Sequence, residues 1–428
     1  MVNLEGYTGL VDGSLLDATG RGMTQFDELI ASLPGVYPST ALDSLRRLVS
    51  MGKIPSWVLA NAVRHVRRRR ARRSSAHHRI VLPIPHPLDY DWRFSELATE
   101  YLLHRCLELT HPGDTVALLG TPSLLRAAIE RSCPRQWILL DANPAVTNCF
   151  LEGTPEAQAF RCDVTTDPLP ALKAALVILD PPWYEEHIHA FLWAASQLCI
   201  LGGYLQVSMP QIGTRPGIAQ EWVRIMDWAQ QLGLLLIQVE PGALPYITPP
   251  FERNALQAEG LYAIPEEWRR GDLSVFLHAH EANVSRLMPT HEDEWAEEVL
   301  LGMRMRIRPE HEEGFQDPSL GSLVHGDVLP SVSRRDQHRQ FADVWTSGNR
   351  IFACQGRNVL RQIIQAVGAG RSPYEAVAAY LQRPLRAEES RLALHAAHKI
   401  MRIASLEQEE NSLFGESSQN AGLGYTSC

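Results

Sequence analysis

Lysine is almost missing from this chain: it stands only at positions 53, 173 and 399 of 428 residues. A phosphate-gripping loop of the Walker type needs a lysine behind a glycine-rich turn, and no such pairing occurs. Metal-ligand spacing is missing as well. The cysteines (106, 133, 149, 162, 199, 354 and 428) are scattered without a CxxC pair, which reads as reduced core thiols. The "HIH" of His187–His189 puts alternate residues on different helix faces and reads as solvated or core histidine. No apolar run is long enough to cross a bilayer, and "MVNLEGYTGLVDG" lacks a basic segment followed by an apolar one. A cytoplasmic protein without a membrane partner is the expectation. A net charge of −9 argues against a protein that coats nucleic acid along its whole surface.

The charge that is present is uneven. "RHVRRRRARR" at 64–73, with Arg67, Arg68, Arg69 and Arg70 at its centre, is dense enough to contact phosphates or to form a solvated helix face or linker. Before it, "TQFDELIASL" carries Phe26, Leu29, Ile30 and Leu33 at helical spacing, and "TALDSLRRLVSMGKI" carries Leu42, Leu45, Leu48 and Val49. Helix, "PGVYP" turn and helix, then Gly52, resemble a helix-turn-helix or winged helix, with a helical hairpin packed on the next domain as the other reading. Residues 1–80 are taken as this unit.

"VLPIPHPLDYDWRF" is proline-rich and reads as an extended connector. From there to residue 280 short apolar strands alternate with amphipathic helices: "DTVALLG", "PSLLRAAIERS", "QWILLDANP", "AFRCDV", "ALVILD", "HIHAFLWAASQLC", "GYLQVSMP", "GIAQEWVRIMDWAQQLG" and "LLLIQVEPG". "GLYAIP" and "LSVFLHA" read as closing strands. This alternation predicts an α/β, doubly wound parallel sheet over 81–280, whose ligands bind beyond the C-terminal strand ends. Residues 281–330 read as an acidic linker. A small helical or α+β module follows over 331–408, with a strand pair around "SGN" and with surface for a protein partner. Residues 409–428 read as a disordered tail.

The strand ends carry the chemistry. The first ends at Gly120, the second at Asp141, the third near Asp163 and the fourth in "DPPWY". An acid about 20 residues beyond the first turn accepts hydrogen bonds from ribose hydroxyls, and Asp163 is placed to take an adenine amino group. Gly120 lets backbone approach a ligand. Two prolines after Asp180 end the ladder and stiffen the kink, so acceptors there keep their direction. Taken alone, the run is also compatible with a strand-to-loop turn and a packing Trp.

In this strand context the tetrad Asp180, Pro181, Pro182 and Trp183 resembles that of class I S-adenosylmethionine-dependent amino-methyltransferases, over about 94–279. The resemblance implies a Rossmann-like domain with S-adenosylmethionine as cofactor, held by Gly120, Thr121, Asp141, Asp163 and Phe94. It implies that Asp180 and Pro181 take the two N–H groups of a planar amino nitrogen, that Pro182 stiffens the turn, and that Trp183 or Tyr184 stacks the target. The loops "MPQIGTRPG" and "LPYITPPFERNAL" offer Arg215, Tyr246, Phe251 and Glu252 as substrate-side candidates, or are ordinary Pro/Gly loops with an aromatic anchor. The family prefers more glycine than "GTPSLL" offers. Methyl transfer from a sulfonium needs no metal. With the basic block, a nucleic-acid base is the expected acceptor.

A second resemblance, architectural, is to branched-chain polyamine synthases, which move an aminopropyl group from decarboxylated S-adenosylmethionine. Glu185 and Glu186 would then supply acid for a cationic acceptor, or stand as solvated acids at a helix start. A non-catalytic DNA-binding or scaffold protein with a degenerate cofactor domain is the third expectation.

Overall fold

The computed structural model describes residues 4–63, 80–151, 156–262, 265–287 and 294–412. The basic block with Arg67, Arg68, Arg69 and Arg70 lies outside them, as does most of the expected tail.

Four helices form the N-terminal unit: α1 (Leu4–Gly20), α2 (Phe26–Ser32), α3 (Pro38–Ser50) and α4 (Ser56–Ala62). No strand occurs among residues 4–63, so these residues make no wing. The predicted apolar faces do meet: Phe26, Leu29, Ile30, Leu42, Leu45 and Leu48 share one core with Val11 and Leu15 of α1. Gly52 (φ +68°) ends α3 as Lys53 N–H returns to Leu48 O at 2.9 Å. The unit is docked tightly on the next domain. Gly213 N–H donates to Pro34 O at 2.9 Å, and a Cβ at Gly213 would lie 2.3 Å from that oxygen.

The central domain is an eight-stranded sheet in the order β1-β7-β8-β6-β5-β2-β3-β4. Its strands are β1 (Arg93–Phe94), β2 (Thr115–Leu119), β3 (Gln136–Asp141), β4 (Ala157–Arg161), β5 (Ala174–Leu179), β6 (Cys199–Pro210), β7 (Leu234–Ile247) and β8 (Arg270–His278). The strands from β2 to β6 pair in parallel; β8 runs antiparallel to both β6 and β7. One face packs under α5 (Glu96–Leu109) and α6 (Pro122–Glu130), and the other under α8 (Glu185–Leu198) and α9 (Ile218–Gln231). Covering both faces explains why β2 and β5 read as unbroken apolar runs. The chain order reverses between β2 and β5, where Gly120 and Asp180 end neighbouring strands. A short α7 (Pro144–Thr147) follows β3, and α10 (Pro250–Ala258) follows β7.

"GLYAIP" does not begin as a strand. Gly260 (φ +80°) ends α10, Leu261 N–H returns to Leu256 O, and Leu261 buries itself among the N-terminal helices. The stretch 281–330 is also not linker throughout. It contains β9 (Ala296–Leu300), β10 (Met303–Ile307) and β11 (Gly321–Ser322), which join β12 (Val344–Thr346) and β13 (Ile351–Ala353) in a second sheet ordered β11-β13-β12-β10-β9. β12 and β13 are the strand pair expected around "SGN", with Asn349 at φ +64° in the turn. Three helices pack on this sheet: α11 (Arg357–Gly368), α12 (Pro373–Tyr380) and α13 (Ala387–Ser412). The last of them continues past residue 409, where the tail was expected to start.

Candidate active site

A cavity of about 1520 Å³ opens at the C-terminal ends of the parallel strands. It is larger than the roughly 300–1,000 Å³ of a typical small-molecule pocket and has room for two ligands side by side. Its walls come from all three parts of the chain, including Tyr37, Trp92, Asp141, Asp180, Tyr184 and Ser333.

Asp180 stands one residue beyond β5, its N–H held by Leu119 O at 3.1 Å. Its Oδ1 accepts from the Tyr246 hydroxyl at 2.5 Å, and Tyr246 in turn contacts Ser208 Oγ at 2.5 Å. Desolvation pushes the Asp180 carboxyl up to about 7, opposed by these hydrogen bonds and by the Arg269 cation. The kink closes when Tyr184 N–H donates to Pro182 O at 2.7 Å. Ser208 and Trp183 are seated against Gly271, where a Cβ would lie 2.5 Å from Ser208 Oγ and 3.1 Å from Trp183 Cζ2.

Trp183 does not offer an open stacking face. It is 6% exposed, and the Arg269 guanidinium lies 4.2 Å from its ring centroid and 4.3 Å from that of Trp92. Tyr246 meets Trp183 edge-on at 5.6 Å. Tyr184, half-buried on the cavity wall, is flanked by Arg334 at 5.0 Å and Arg215 at 5.9 Å. His187, buried behind it, contacts Arg334 Nη1 at 3.2 Å.

The other end of the cavity is acidic. Asp141 ends β3; its Oδ1 accepts from Asn143 N–H at 2.9 Å. Burial pushes its carboxyl up to about 7, and the neighbouring Asp91 and Asp89 push the same way. Asp163 turns its Oδ1 to Thr165, accepting from N–H at 2.9 Å and from the hydroxyl at 2.6 Å. Gly120 (φ +66°) lines the wall between these acids and Asp180. Positive φ is the reason for glycine here, since an added Cβ would meet nothing closer than 3.5 Å.

Not every candidate faces the cavity. Phe94 is buried in the core with its ring 4.9 Å from Tyr246, because the two-residue β1 pairs with β7 there. Thr121 is buried at the position before α6, makes no side-chain cap there, and is not part of the wall. Glu252 is 0% exposed behind Phe251, facing Tyr37, and burial raises it to about 7. Arg215, on the wall, is paired with Glu221. Glu185 and Glu186 are committed to Arg224 and Arg334 respectively.

Sequence reasoning missed three parts of the wall. The connector read as plain spacer contributes Asp89, Tyr90, Asp91 and Trp92; two acids alternating with two aromatics in "DYDW" were the available signal. Arg269 had no local signal. The strap 330–335 crosses from the C-terminal module, with Arg334 N–H 3.4 Å from the Tyr184 hydroxyl and its guanidinium 2.7 Å from Glu186.

No protein-family model matches the chain, and no curated protein matches it by sequence. Solved structures do. A mutein of the branched-chain polyamine synthase of Thermus thermophilus, solved with aminopropylspermidine and 5′-methylthioadenosine, is 15% identical with a TM-score of 0.50, covering 66% of this chain and 90% of its own. The parent synthase gives 17% identity, a TM-score of 0.49 and coverage of 65% and 90%. A putative RNA methyltransferase of Pyrococcus horikoshii gives 16% identity, a TM-score of 0.33 and coverage of 46% and 90%. At these identities the likeness is one of fold: the chain carries a Rossmann-like α/β domain.

Proposed function

We propose that the chain transfers a carbon group from a sulfonium nucleoside of the S-adenosylmethionine type to an amine nitrogen, with the methyl group as the first reading. The observation that carries it is Asp180 at the switch of strand order, held by Tyr246 and separated by Gly120 from the acids that suit a nucleoside. Asp141 and Asp163 offer carboxylate oxygens for ribose hydroxyls and an adenine amino group, and no lysine is at hand to mark a phosphate site. Bound there, the sulfonium supplies an electrophilic carbon.

The residues around it orient the nitrogen. Asp180 accepts one N–H, and the Tyr246 bond fixes the direction of its carboxylate. Because the turn closes through the Pro182 carbonyl, the Pro181 carbonyl is the acceptor assigned to the second N–H. The nitrogen lone pair forms the new C–N bond as the C–S bond breaks, with the electron pair leaving on sulfur. The proton released from nitrogen goes to Asp180 or to water; a carboxyl raised to about 7 is matched to that duty near neutral pH. With the Trp183 ring covered by Arg269, Tyr184 is the aromatic assigned to a planar acceptor such as a nucleic-acid base.

A second reading is aminopropyl transfer from the decarboxylated nucleoside to a polyamine. One observation favours it: the fold match to the synthase covers 66% of the chain.

Calorimetric titration with S-adenosylmethionine, its decarboxylated form and S-adenosylhomocysteine tests both. Tighter binding of the carboxylated pair supports methyl transfer, and tighter binding of the decarboxylated form supports the second reading. Binding of none overturns both.

A further inference from the structure

The C-terminal module is joined to the nucleoside end of the cavity by a run of charge-assisted hydrogen bonds. Arg304 on β10 is 1% exposed, and its Nη2 donates to Asp89 Oδ2 at 2.6 Å. Arg306 on the same strand donates to Asp89 Oδ1 at 2.5 Å. Asp89 is therefore gripped from the C-terminal side through both oxygens. On its other side the Asn143 amide donates to Asp89 Oδ2 at 2.9 Å, while the Asn143 backbone N–H donates to Asp141 Oδ1 at 2.9 Å. Asn143 also caps the short α7, accepting from Ala145 N–H at 2.9 Å, so its side chain sets the path of the loop after β3.

Arg304 is fixed in turn. Its Nη1 donates to Ile84 O at 3.0 Å in the segment leading to Asp89, and its Nη2 also donates to Glu297 Oε2 at 2.7 Å on β9. A buried arginine with carboxylates on two elements and a carbonyl on a third has little freedom, and so transmits position well.

We propose that Asp89, clamped by Arg304 and Arg306, is a positioning residue for the nucleoside site, so that the C-terminal module sets the geometry of Asp141. The inference rests on the reading of Asp141 as the ribose-binding carboxylate. It gives the module a duty in cofactor affinity, over and above closing the cavity with the strap 330–335. Asp89 acts through Asn143 and needs no contact with the ligand itself.

The test is calorimetric titration of the full chain with S-adenosylhomocysteine and with decarboxylated S-adenosylmethionine, folding being checked by circular dichroism. Wild type, Asp89→Asn, Asp89→Glu, Arg306→Gln and the Asp89→Asn/Arg306→Gln pair are compared. Loss of the clamp is expected to weaken binding roughly ten- to a hundredfold, the scale of a misplaced binding group. Asp89→Glu is expected to restore part of the affinity. The double variant is expected to be no worse than Asp89→Asn alone, since the two residues act as one unit. Should Asp89→Asn fail to fold, Arg306→Gln alone carries the comparison, because Arg306 sits at the half-buried edge of the clamp. Folded variants that bind as tightly as wild type would overturn the clamp while leaving the site intact. A wild-type chain that binds neither ligand would overturn the reading of Asp141, and the clamp with it.

Discussion

Tyr246, at the far end of β7, donates its phenolic proton to Asp180, 66 residues earlier in the chain. In the sheet β8 and β6 lie between β7 and β5, and the β7–β8 pairing shifts register between Glu240 and Leu244, ahead of Tyr246. Tyr246→Phe removes one donor without changing ring packing. We expect turnover to fall about 10- to 100-fold with nucleoside binding retained, measured as a split between kcat and Kd. Asp180→Ala is expected to fall further, by at least ~100-fold, again with binding retained.

Under the proposed function, activity is expected to follow the ionisation of Asp180. The carboxylate form accepts the N–H, and the group titrates at about 7 in the fold. The rate is therefore expected to rise about tenfold per pH unit below 7 and to level off above it. A rate that is flat from pH 5 to 8 would contradict this role.

The same burial has the opposite sign for stability. Asp180 is raised from 3.8 to about 7, so the folded state holds its proton more tightly than the unfolded chain does. Its contribution is present at low pH and is lost as pH rises from about 4 to 7. Asp180→Asn, which cannot ionise, is expected to be more stable than wild type at pH 8, by on the order of 2–4 kcal/mol, and no more stable at pH 4. Thermal melts at the two pH values check this.

Gly271→Ala tests the seating of the tetrad without touching a reacting group. The added methyl would lie 2.5 Å from Ser208 Oγ, which contacts Tyr246, and 3.1 Å from Trp183. We expect loss of turnover comparable to Tyr246→Phe together with a Tm drop of a few degrees, the cost of overpacking being about 1–3 kcal/mol.

Much of the central domain was legible because its signals are local. Unbroken apolar strands, helix caps and the proline-stiffened end of β5 each announce themselves within a dozen residues, and Asp141, Asp163 and Asp180 reach one cavity as their strand positions required. What was hidden depends on partners distant in sequence. Acids around Glu297 looked like solvated linker, but Glu297 and Glu298 are strand residues paired with Arg304 and Arg361. Asp89 looked like part of a spacer because the arginine that buries it lies 215 residues later. Trp183 read as an open stacking surface, since nothing near it in sequence foretold the guanidinium of Arg269.

The contact between Gly213 and Pro34 has a mechanical consequence. With backbone against backbone and no room for even a methyl group, the turn before α3 and the loop after β6 cannot slide past one another without breaking this contact. That loop carries Arg215 to the cavity wall, and Tyr7 of α1 is bonded to it at the Gly213 carbonyl. A tilt of the helical unit would therefore strain the rim of the cavity at Gly213 or break these two bonds.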